Sequence, residues 1–330
     1  MQLSRRDFIK NILRAGSGVV IAGALGSLAA CESGEESTFP EHSTIPSTNA
    51  TLQPTALPSP PDKAYLAVAR GQNPESIVQA AISAIGGIER FVKEGNDVII
   101  KPNICVAYHT YEYAATTNPW VVGTLVGLCK EAGAKRVRVM DYPFGGSAEE
   151  AYKRSGISEA VITAGGEMEV MSNMKFREVA IPDGRDIKKW QVYTEALDTD
   201  VLINVPIAKH HSLGRLTLGM KNLMGLIKDR GKFHFNLGQR IADLTSLLRP
   251  QLTVVDAVRI LTNHGPTGGQ LEDVKLTNTV IASHDIVAAD TYATTLFGLN
   301  SEDIPAIRAA VPMGLGTNDL KSIRVEEIIV

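Results

Sequence analysis

The chain has 330 residues, of which 44% are hydrophobic and 21% are charged, and its formal net charge at pH 7 is −3. This length is sufficient for one large α/β domain or two closely joined lobes in addition to a targeting segment. The nearly balanced charge supplies no basic field of the kind that attracts nucleic acid, so we expect no nucleic-acid partner.

Residues 1–31 are predicted to be an export signal rather than part of the fold. Residues 4–10 read SRRDFIK, which matches the twin-arginine export pattern. The apolar run over residues 15–30 is short and rich in Gly and Ala, whereas a membrane span needs about 20 predominantly apolar residues. Residues 28–31, LAAC, resemble a lipobox whose Cys31 receives the lipid. The sequence therefore predicts the twin-arginine machinery as a partner, and a membrane-anchored lipoprotein facing the periplasm or the cell exterior.

The mature part of the chain divides into a tether and a globular domain. Residues 32–62 are rich in Ser, Thr, Pro and Glu and contain little apolar mass, which predicts a disordered linker. Residues 63–330 contain the apolar periodicity of a folded domain. This organisation would hold the domain away from a membrane surface.

Strand and helix patterns alternate along residues 63–330. The predicted strands cover residues 65–69, 97–100, 136–140, 201–205, 252–255 and 279–282. The predicted helices cover residues 74–92, 119–132, 148–155 and 286–299. This order predicts an α/β fold, with a mostly parallel sheet and helices on both of its faces. Residues 165–195 contain Asp183-Gly184 between strand-like flanks, which predicts a small β-hairpin excursion from the main sheet.

Residues 201–227 combine two elements with a cluster of polar side chains. They begin as a buried strand, and Pro206 limits its further pairing. After Gly214 the apolar residues recur at helical spacing up to Ile227, which predicts an amphipathic helix. The polar residues delivered by this strand and helix are Lys209, His210, His211, Lys221 and Asn222. Ligands bind where strands end and helices begin in open α/β sheets, so this stretch predicts a binding site; solvated charges without chemistry are the alternative.

Polar residues also lie at or just after the carboxyl ends of the predicted strands. They are Lys101, Asn103, Asp141, Asn204 and Asp256. Because parallel strands end at one edge of a sheet, we expect these groups to converge there with the Lys-His-His cluster. Each of them singly has a simpler interpretation as a cap, a turn residue or a solvated charge.

The histidines are the candidates for proton transfer near neutral pH, and His211, His234 and His264 are the three positions of interest. His210 and His211 are adjacent, so in an extended chain they point to opposite sides and only one faces the site. His264 precedes a Gly-Pro-Thr-Gly-Gly loop in which Gly268 and its neighbours offer backbone amides to an anion, or simply form a turn. No HxxxH spacing supports a metal site, so metal binding stays open and ranks below an anion-binding or structural role.

The cysteines restrict the cofactors. With Cys31 assigned to lipid, Cys105 and Cys129 are the thiols that remain, and they form no CxxC motif. Two thiols cannot supply the four ligands of a typical iron–sulfur cluster, so none is expected. The chain also lacks a P-loop, a complete dinucleotide fingerprint and a Gly-x-Ser-x-Gly elbow.

The mature chain resembles the DUF362 family, whose function is unknown. The matching segments are residues 98–103, 115–122, 131–139, 202–224, 250–257, 264–269 and 281–290. The Lys-Asn-Leu-Met-Gly sequence at residues 221–225 is the most specific of these features. Some relatives also carry ferredoxin-type cysteine clusters, which this chain lacks. The resemblance implies a single α/β family domain and supplies no reaction.

Two hypotheses follow for the function. In the first, an exported α/β protein holds a small carboxylate or phosphate in a site rich in Lys, His and Asn, and a histidine moves a proton. In the second, the same pocket holds a ligand without turnover, as in a binding or accessory protein of a redox or cell-envelope system. The sequence alone does not separate an enzyme from a binding protein.

Overall fold

The computed structural model describes residues 63–330. The predicted signal peptide, the lipidation residue Cys31 and the linker over residues 32–62 lie outside the described residues.

The β-strands of residues 63–330 form one large mixed sheet and one separate hairpin. In chain order the strands are β1 (Leu66–Arg70), β2 (Asp97–Pro102), β3 (Arg136–Val139), β4 (Glu167–Met168), β5 (Phe176–Ala180), β6 (Lys189–Tyr193), β7 (Val201–Val205), β8 (Ile207–His211), β9 (Arg215–Thr217), β10 (Leu252–Leu261), β11 (Val274–Ser283) and β12 (Val325–Ile329).

Helices connect these strands, and short 3-10 turns extend several of them. The α-helices of the described residues are α1 (Pro74–Ala84), α2 (Pro119–Glu131), α3 (Ala148–Arg154), α4 (Ile157–Thr163), α5 (Glu195–Asp198), α6 (Gly219–Asn222), α7 (Arg230–Phe233), α8 (Leu237–Leu248), α9 (Ile286–Thr295) and α10 (Pro305–Ala310). Asn118 and Asp285 cap α2 and α9 by accepting hydrogen bonds from backbone N–H groups of the first turn.

The main sheet has the strand order β12-β1-β11-β10-β7-β2-β3-β4, with β8 paired to β10 and β9 paired to β8. The strands from β10 to β4 along this order are parallel, whereas β11 is antiparallel to both of its neighbours. In the β2–β7 ladder, Lys101 lies opposite Asn204. The prediction of a mostly parallel α/β sheet is confirmed.

The two faces of the sheet bury different side chains, because successive residues of a strand point to opposite faces. Ile99 of β2 packs in a core with residues of α8, α9 and α10. Its neighbours Val98 and Ile100 pack in a second core with residues of α1, α2 and α4. Helices therefore cover both faces, as the sequence predicts. The predicted hairpin is also present, as the antiparallel pair β5–β6.

The helix predicted after Gly214 is wrong in its extent. Residues 215–217 form the edge strand β9, and the helical part is the single turn α6 followed by a 3-10 turn over Leu223–Leu226. Tertiary contacts override the periodicity here, because the Asp290 carboxylate takes the N–H groups of Gly219 and Met220. Apolar residues of the segment are buried although they do not lie on one long helix. After Pro206 the chain also resumes pairing as β8, which lies alongside β10.

Other boundaries also differ from prediction, including those of one helix and one strand. The first helix ends at Ala84 rather than continuing to residue 92, because Gly86 and Gly87 adopt positive φ angles of 106° and 80°. The strand predicted over residues 252–255 continues to Leu261, with a register shift between Ala257 and Arg259. Asp256 therefore lies within β10 and not at its end.

Candidate functional site

A cavity of about 250 Å³ lies where β2, β3 and β8 end. Its lining contains four cations and one carboxylate among the described residues, and this is the place where the predicted polar residues gather. The polar and titratable lining residues are Lys101, Asn103, Cys105, Asp141, Tyr142, Lys209, His211, Thr217, Lys221, Asn222, Arg230 and His234.

Lys101 and Asp141 form a buried ion pair at the floor of the cavity. Lys101 Nζ lies 2.8 Å from Asp141 Oδ1, and both side chains are almost completely inaccessible. The Asp141 carboxylate also accepts the backbone N–H groups of Ile104 and Tyr142. Burial lowers the pKa of Lys101 to about 8, and the attraction of Asp141 opposes this shift.

The Asn222 side chain connects the polar groups of three elements. Its Oδ1 accepts from Lys101 Nζ at 3.0 Å and from Asn103 Nδ2 at 2.9 Å. Its Nδ2 donates to Asn204 Oδ1 at 2.8 Å, and Asn204 in turn donates to the carbonyl of Gly219. Because an ammonium group only donates, the amide oxygen of Asn222 must face Lys101. Asn204 thus supports the site from beneath the cavity lining.

Lys209 extends the same network on the opposite side of Asn103. Its Nζ donates to Asn103 Oδ1 at 2.9 Å and to the carbonyls of Ala115 and Pro266 at 2.6 and 2.9 Å. Cys105 Sγ lies 3.4 Å from the same ammonium group. These three oxygen acceptors match the three donors of an ammonium group. Lys209 therefore contributes positive charge to the cavity and has no further donor for a ligand.

Lys221 and Arg230 retain donors that no protein group of residues 63–330 uses. Lys221 Nζ makes no hydrogen bond or ion pair with any described residue. Burial lowers its pKa to about 7, and the positive charges of Lys209 and Arg230 lower it further. Arg230 donates to the carbonyls of Tyr142 and Ile227 through Nη2 and Nε and lies over the Tyr142 ring, which leaves Nη1 available.

His211 and His234 lie with their rings parallel, with the centroids 6.1 Å apart. His211 Nδ1 accepts the N–H groups of Leu213 and Gly214, which requires that this nitrogen carry no proton. Burial, together with the charge of Lys221, lowers the pKa of His211 to about 3. His211 is therefore a neutral orienting group, and His234 is the more accessible imidazole of the pair.

The Thr217 hydroxyl is a further polar group of the cavity wall. The residue is 3% exposed, and its Oγ1 has no hydrogen-bond partner among residues 63–330. Buried hydroxyl groups are normally paired, so this oxygen is available to a ligand.

Five of the predicted site residues lie outside the cavity lining; one is Asn204, which hydrogen-bonds to the lining residue Asn222. Asp256 is buried elsewhere, where its carboxylate accepts the N–H groups of Asn118 and Val258. His264 is exposed and pairs with Asp273 at 2.7 Å. Gly268 follows it in the same loop at a positive φ of 64°. His210 lines an adjacent open groove, and its Nδ1 accepts the N–H of Gly265; His211 lines both this groove and the cavity.

Sequence reasoning missed Arg230 and Thr217. Arg230 follows Asp229, which has a positive φ of 56°, and nothing in the local pattern indicates this conformation. Thr217 lies opposite Lys209 in the β8–β9 ladder, so recognising that edge strand would have placed it in the site.

Within residues 63–330 no group of three or more His, Cys, Asp or Glu side chains is arranged to hold a metal ion. Cys105 and Cys129 are both buried and unpaired in the same part of the chain. Among its helices, none is long and apolar enough to cross a membrane.

The fold and cavity define an α/β domain with a buried, positively charged site at the carboxyl edge of its sheet. The chain belongs to the DUF362 family, a domain of unknown function, whose sequence model matches residues 98–295. It is 26% identical over 253 residues to a thylakoid-associated protein of Synechocystis sp., which covers 72% of this chain and 74% of that protein.

Two solved structures are similar in part. One is the lactate racemase apoprotein from Thermoanaerobacterium thermosaccharolyticum, with a TM-score of 0.46, 11% identity and coverage of 73% of this chain. The other is a protein from Thermotoga maritima, with a TM-score of 0.45, 15% identity and coverage of 69% of this chain. The chain spans 58% and 60% of their respective lengths.

Proposed function

We propose that this domain binds a small carboxylate or phosphate ligand in the cavity lined by Lys101, Lys209, Lys221 and Arg230. The charge of the lining carries the proposal, because four cations face the single carboxylate of Asp141 among the described residues. Such an excess of buried positive charge is costly when nothing balances it, and a bound anion would compensate it.

The hydrogen bonds divide the cations into two groups. Lys101 and Lys209 already use their donors on protein oxygens, so they supply a fixed positive field. Lys221, Arg230 and the hydroxyl of Thr217 supply the direct contacts. The Nη1 group of Arg230 offers charge-assisted hydrogen bonds, which are strong when the acceptor is a carboxylate or a phosphate.

The size of the cavity restricts the ligand. Pockets for drug-sized molecules measure about 300–1,000 Å³, and this cavity of about 250 Å³ is smaller. Its ligand is therefore a small organic acid or a small phosphate compound. His234 lines the same cavity and is the group that moves a proton if the bound ligand reacts.

Binding and turnover are tested in sequence. The unfolding temperature of the whole chain is measured with phosphate, oxalate and a series of small carboxylates, with chloride at matched ionic strength as the control. A ligand that binds only the folded state raises the unfolding temperature, and the rise grows with the ratio of ligand concentration to its dissociation constant. Each stabilising ligand is then incubated with the protein and assayed for conversion. Conversion makes the domain an enzyme; binding without conversion makes it a binding or accessory protein, and no stabilisation by any anion rejects the site.

The location of the protein is a separate part of the proposal. The SRRDFIK and LAAC segments support export by the twin-arginine machinery and a lipid anchor on Cys31. Replacing Arg5 and Arg6 together by Lys should block export, and Cys31→Ala should release the protein from the membrane fraction. Export of the double-lysine variant would reject the twin-arginine prediction. Unchanged membrane fractionation of the Cys31→Ala variant would reject the lipid anchor.

A further inference from the structure

Lys221 differs from the other cations of the cavity in having no partner in the described part of the chain. Its stem packs near Gly214, since a Cβ atom at that position would lie 3.5 Å from Lys221 Cδ, and the side chain borders a small crevice with Leu218 and Leu237. A fixed stem with an unbonded terminal nitrogen in a cavity is the arrangement of a reactive amine rather than of a structural ion pair.

The surroundings of Lys221 favour its neutral form. Burial lowers the pKa of Lys221 to about 7, with additional contributions from Lys209 and Arg230. A lysine of this kind is roughly half neutral at pH 7, whereas an unperturbed lysine of pKa about 10.4 is neutral in roughly one molecule in 2,500. The free amine is the nucleophilic form, and proximity to other cations is a known way to obtain it.

We propose that Lys221 Nζ forms a Schiff base with the carbonyl carbon of a small oxo acid whose carboxylate binds Arg230 and the Thr217 hydroxyl. This inference rests on the proposed anion site and specifies its ligand class. The cavity supplies both requirements of such a ligand, a donor pair for the carboxylate and an unbonded amine for the carbonyl.

The reaction balances without an oxidant or a reductant. The nitrogen lone pair forms the C–N bond, the carbonyl π electrons move to oxygen, and a proton passes from nitrogen to that oxygen to give a carbinolamine. A second proton, supplied by His234, lets the C–O bond break with release of water and leaves a positively charged iminium. An iminium withdraws electrons from the adjacent carbon, so the activity that follows is proton removal or bond cleavage next to the former carbonyl.

The test traps the iminium chemically. The whole chain is incubated with pyruvate and sodium cyanoborohydride, digested, and mapped by mass spectrometry over pH 5.5–10. We expect a reduced adduct on Lys221 whose yield rises with a midpoint near pH 7 and which oxalate suppresses. Lys153, an exposed lysine of α3, is the internal control and should gain less adduct than Lys221.

The outcomes distinguish the Schiff-base proposal from the anion-site proposal on which it rests. If oxalate raises the unfolding temperature but Lys221 gains no more adduct than Lys153, the Schiff-base proposal is overturned and the anion site stands. If oxalate and phosphate neither stabilise the protein nor suppress an adduct, both fail. Lys221→Arg keeps the charge but lacks the free amine; it should bind oxalate and lose the adduct, and a persistent adduct in the cavity would also overturn the proposal.

Discussion

Lys101 Nζ lies 2.8 Å from Asp141 Oδ1, and the two side chains are 0% and 4% exposed. The ion pair is therefore removed from water, and each partner depends on the other for compensation of its charge. Asn222 binds the same ammonium group and links it to Asn103 and Asn204. The floor of the cavity is a polar network that also includes Lys209, which donates to Asn103.

Breaking this pair should destabilise the protein strongly. We expect Asp141→Asn to lower the free energy of unfolding by about 3–5 kcal/mol, because it leaves a buried ammonium group without its counter-charge. The double variant Lys101→Met/Asp141→Leu should recover part of the loss, since neither charge remains. Urea denaturation measures both. Glu178→Gln in the exposed Lys189–Glu178 pair is the control and should change stability by less than about 1 kcal/mol. An equally small effect of Asp141→Asn would contradict the conclusion that Asp141 compensates the buried charge of Lys101.

The contribution of Lys221 to stability should depend on pH. Folded Lys221 loses its proton near pH 7, and the unfolded lysine does so near pH 10.5, so the unfolded state holds more protons between these values. Wild-type stability relative to Lys221→Met therefore rises with pH across that window. At pH 6 the Met variant should be more stable, on the order of 2 kcal/mol after allowance for solvent screening.

Denaturation of both proteins from pH 6 to pH 10 measures this difference. Burial raises the pKa values of Asp256 and Asp290 to about 6 and about 7. Both residues are present in the wild type and in the variant, so their contributions cancel in the difference in stability. Lys153→Met is the matched control and should show no such trend. A stability difference between wild type and Lys221→Met that is constant over this pH range would show that Lys221 is not desolvated.

Thr217→Val separates ligand binding from folding. Valine has the shape of threonine without the hydroxyl, and that hydroxyl has no partner in residues 63–330. Stability should stay unchanged or rise by up to about 1 kcal/mol, while affinity for the anion falls. In contrast, Thr199→Val removes a hydroxyl that donates to the Asp97 carbonyl at 2.7 Å, and it should cost about 1–3 kcal/mol. Thermal unfolding with and without oxalate reports both effects, and equal losses of stability in the two variants would refute the assignment of Thr217.

Gly225→Ala tests how closely the chain approaches the ion pair. A Cβ atom at this position would collide with Asp141 Oδ1 and Lys101 Nζ. We expect a loss of about 1–3 kcal/mol from overpacking. Gly127 lies inside α2 with open space around its Cβ position, so Gly127→Ala should instead stabilise the helix by roughly 0.5–1 kcal/mol. Indistinguishable urea midpoints for the two variants would contradict this description of the cavity floor.

The part of the site that follows regular elements was predictable from sequence. Lys101 and Asp141 lie where two parallel strands end, and the parallel arrangement of those strands brings them together. The extent of the helix carrying Lys221 was not predictable, because Asp290, 70 residues away in the chain, fixes the start of that turn. Arg230 follows a residue of positive φ, and His264 lies outside the cavity, where it pairs with Asp273 at the surface. Neither the distant Asp290 contact nor the positive φ of Asp229 is indicated by the local apolar pattern.

The most direct test is calorimetric titration of the whole chain with oxalate and with phosphate at low salt. We predict that at least one of them binds with one-to-one stoichiometry to the wild type. Lys221→Gln should weaken that binding tenfold or more, equivalent to about 1.4 kcal/mol, whereas Lys153→Gln should leave it unchanged. Absence of binding by both anions, or equal affinity in the wild type and Lys221→Gln, would contradict the proposal that this cavity is an anion site.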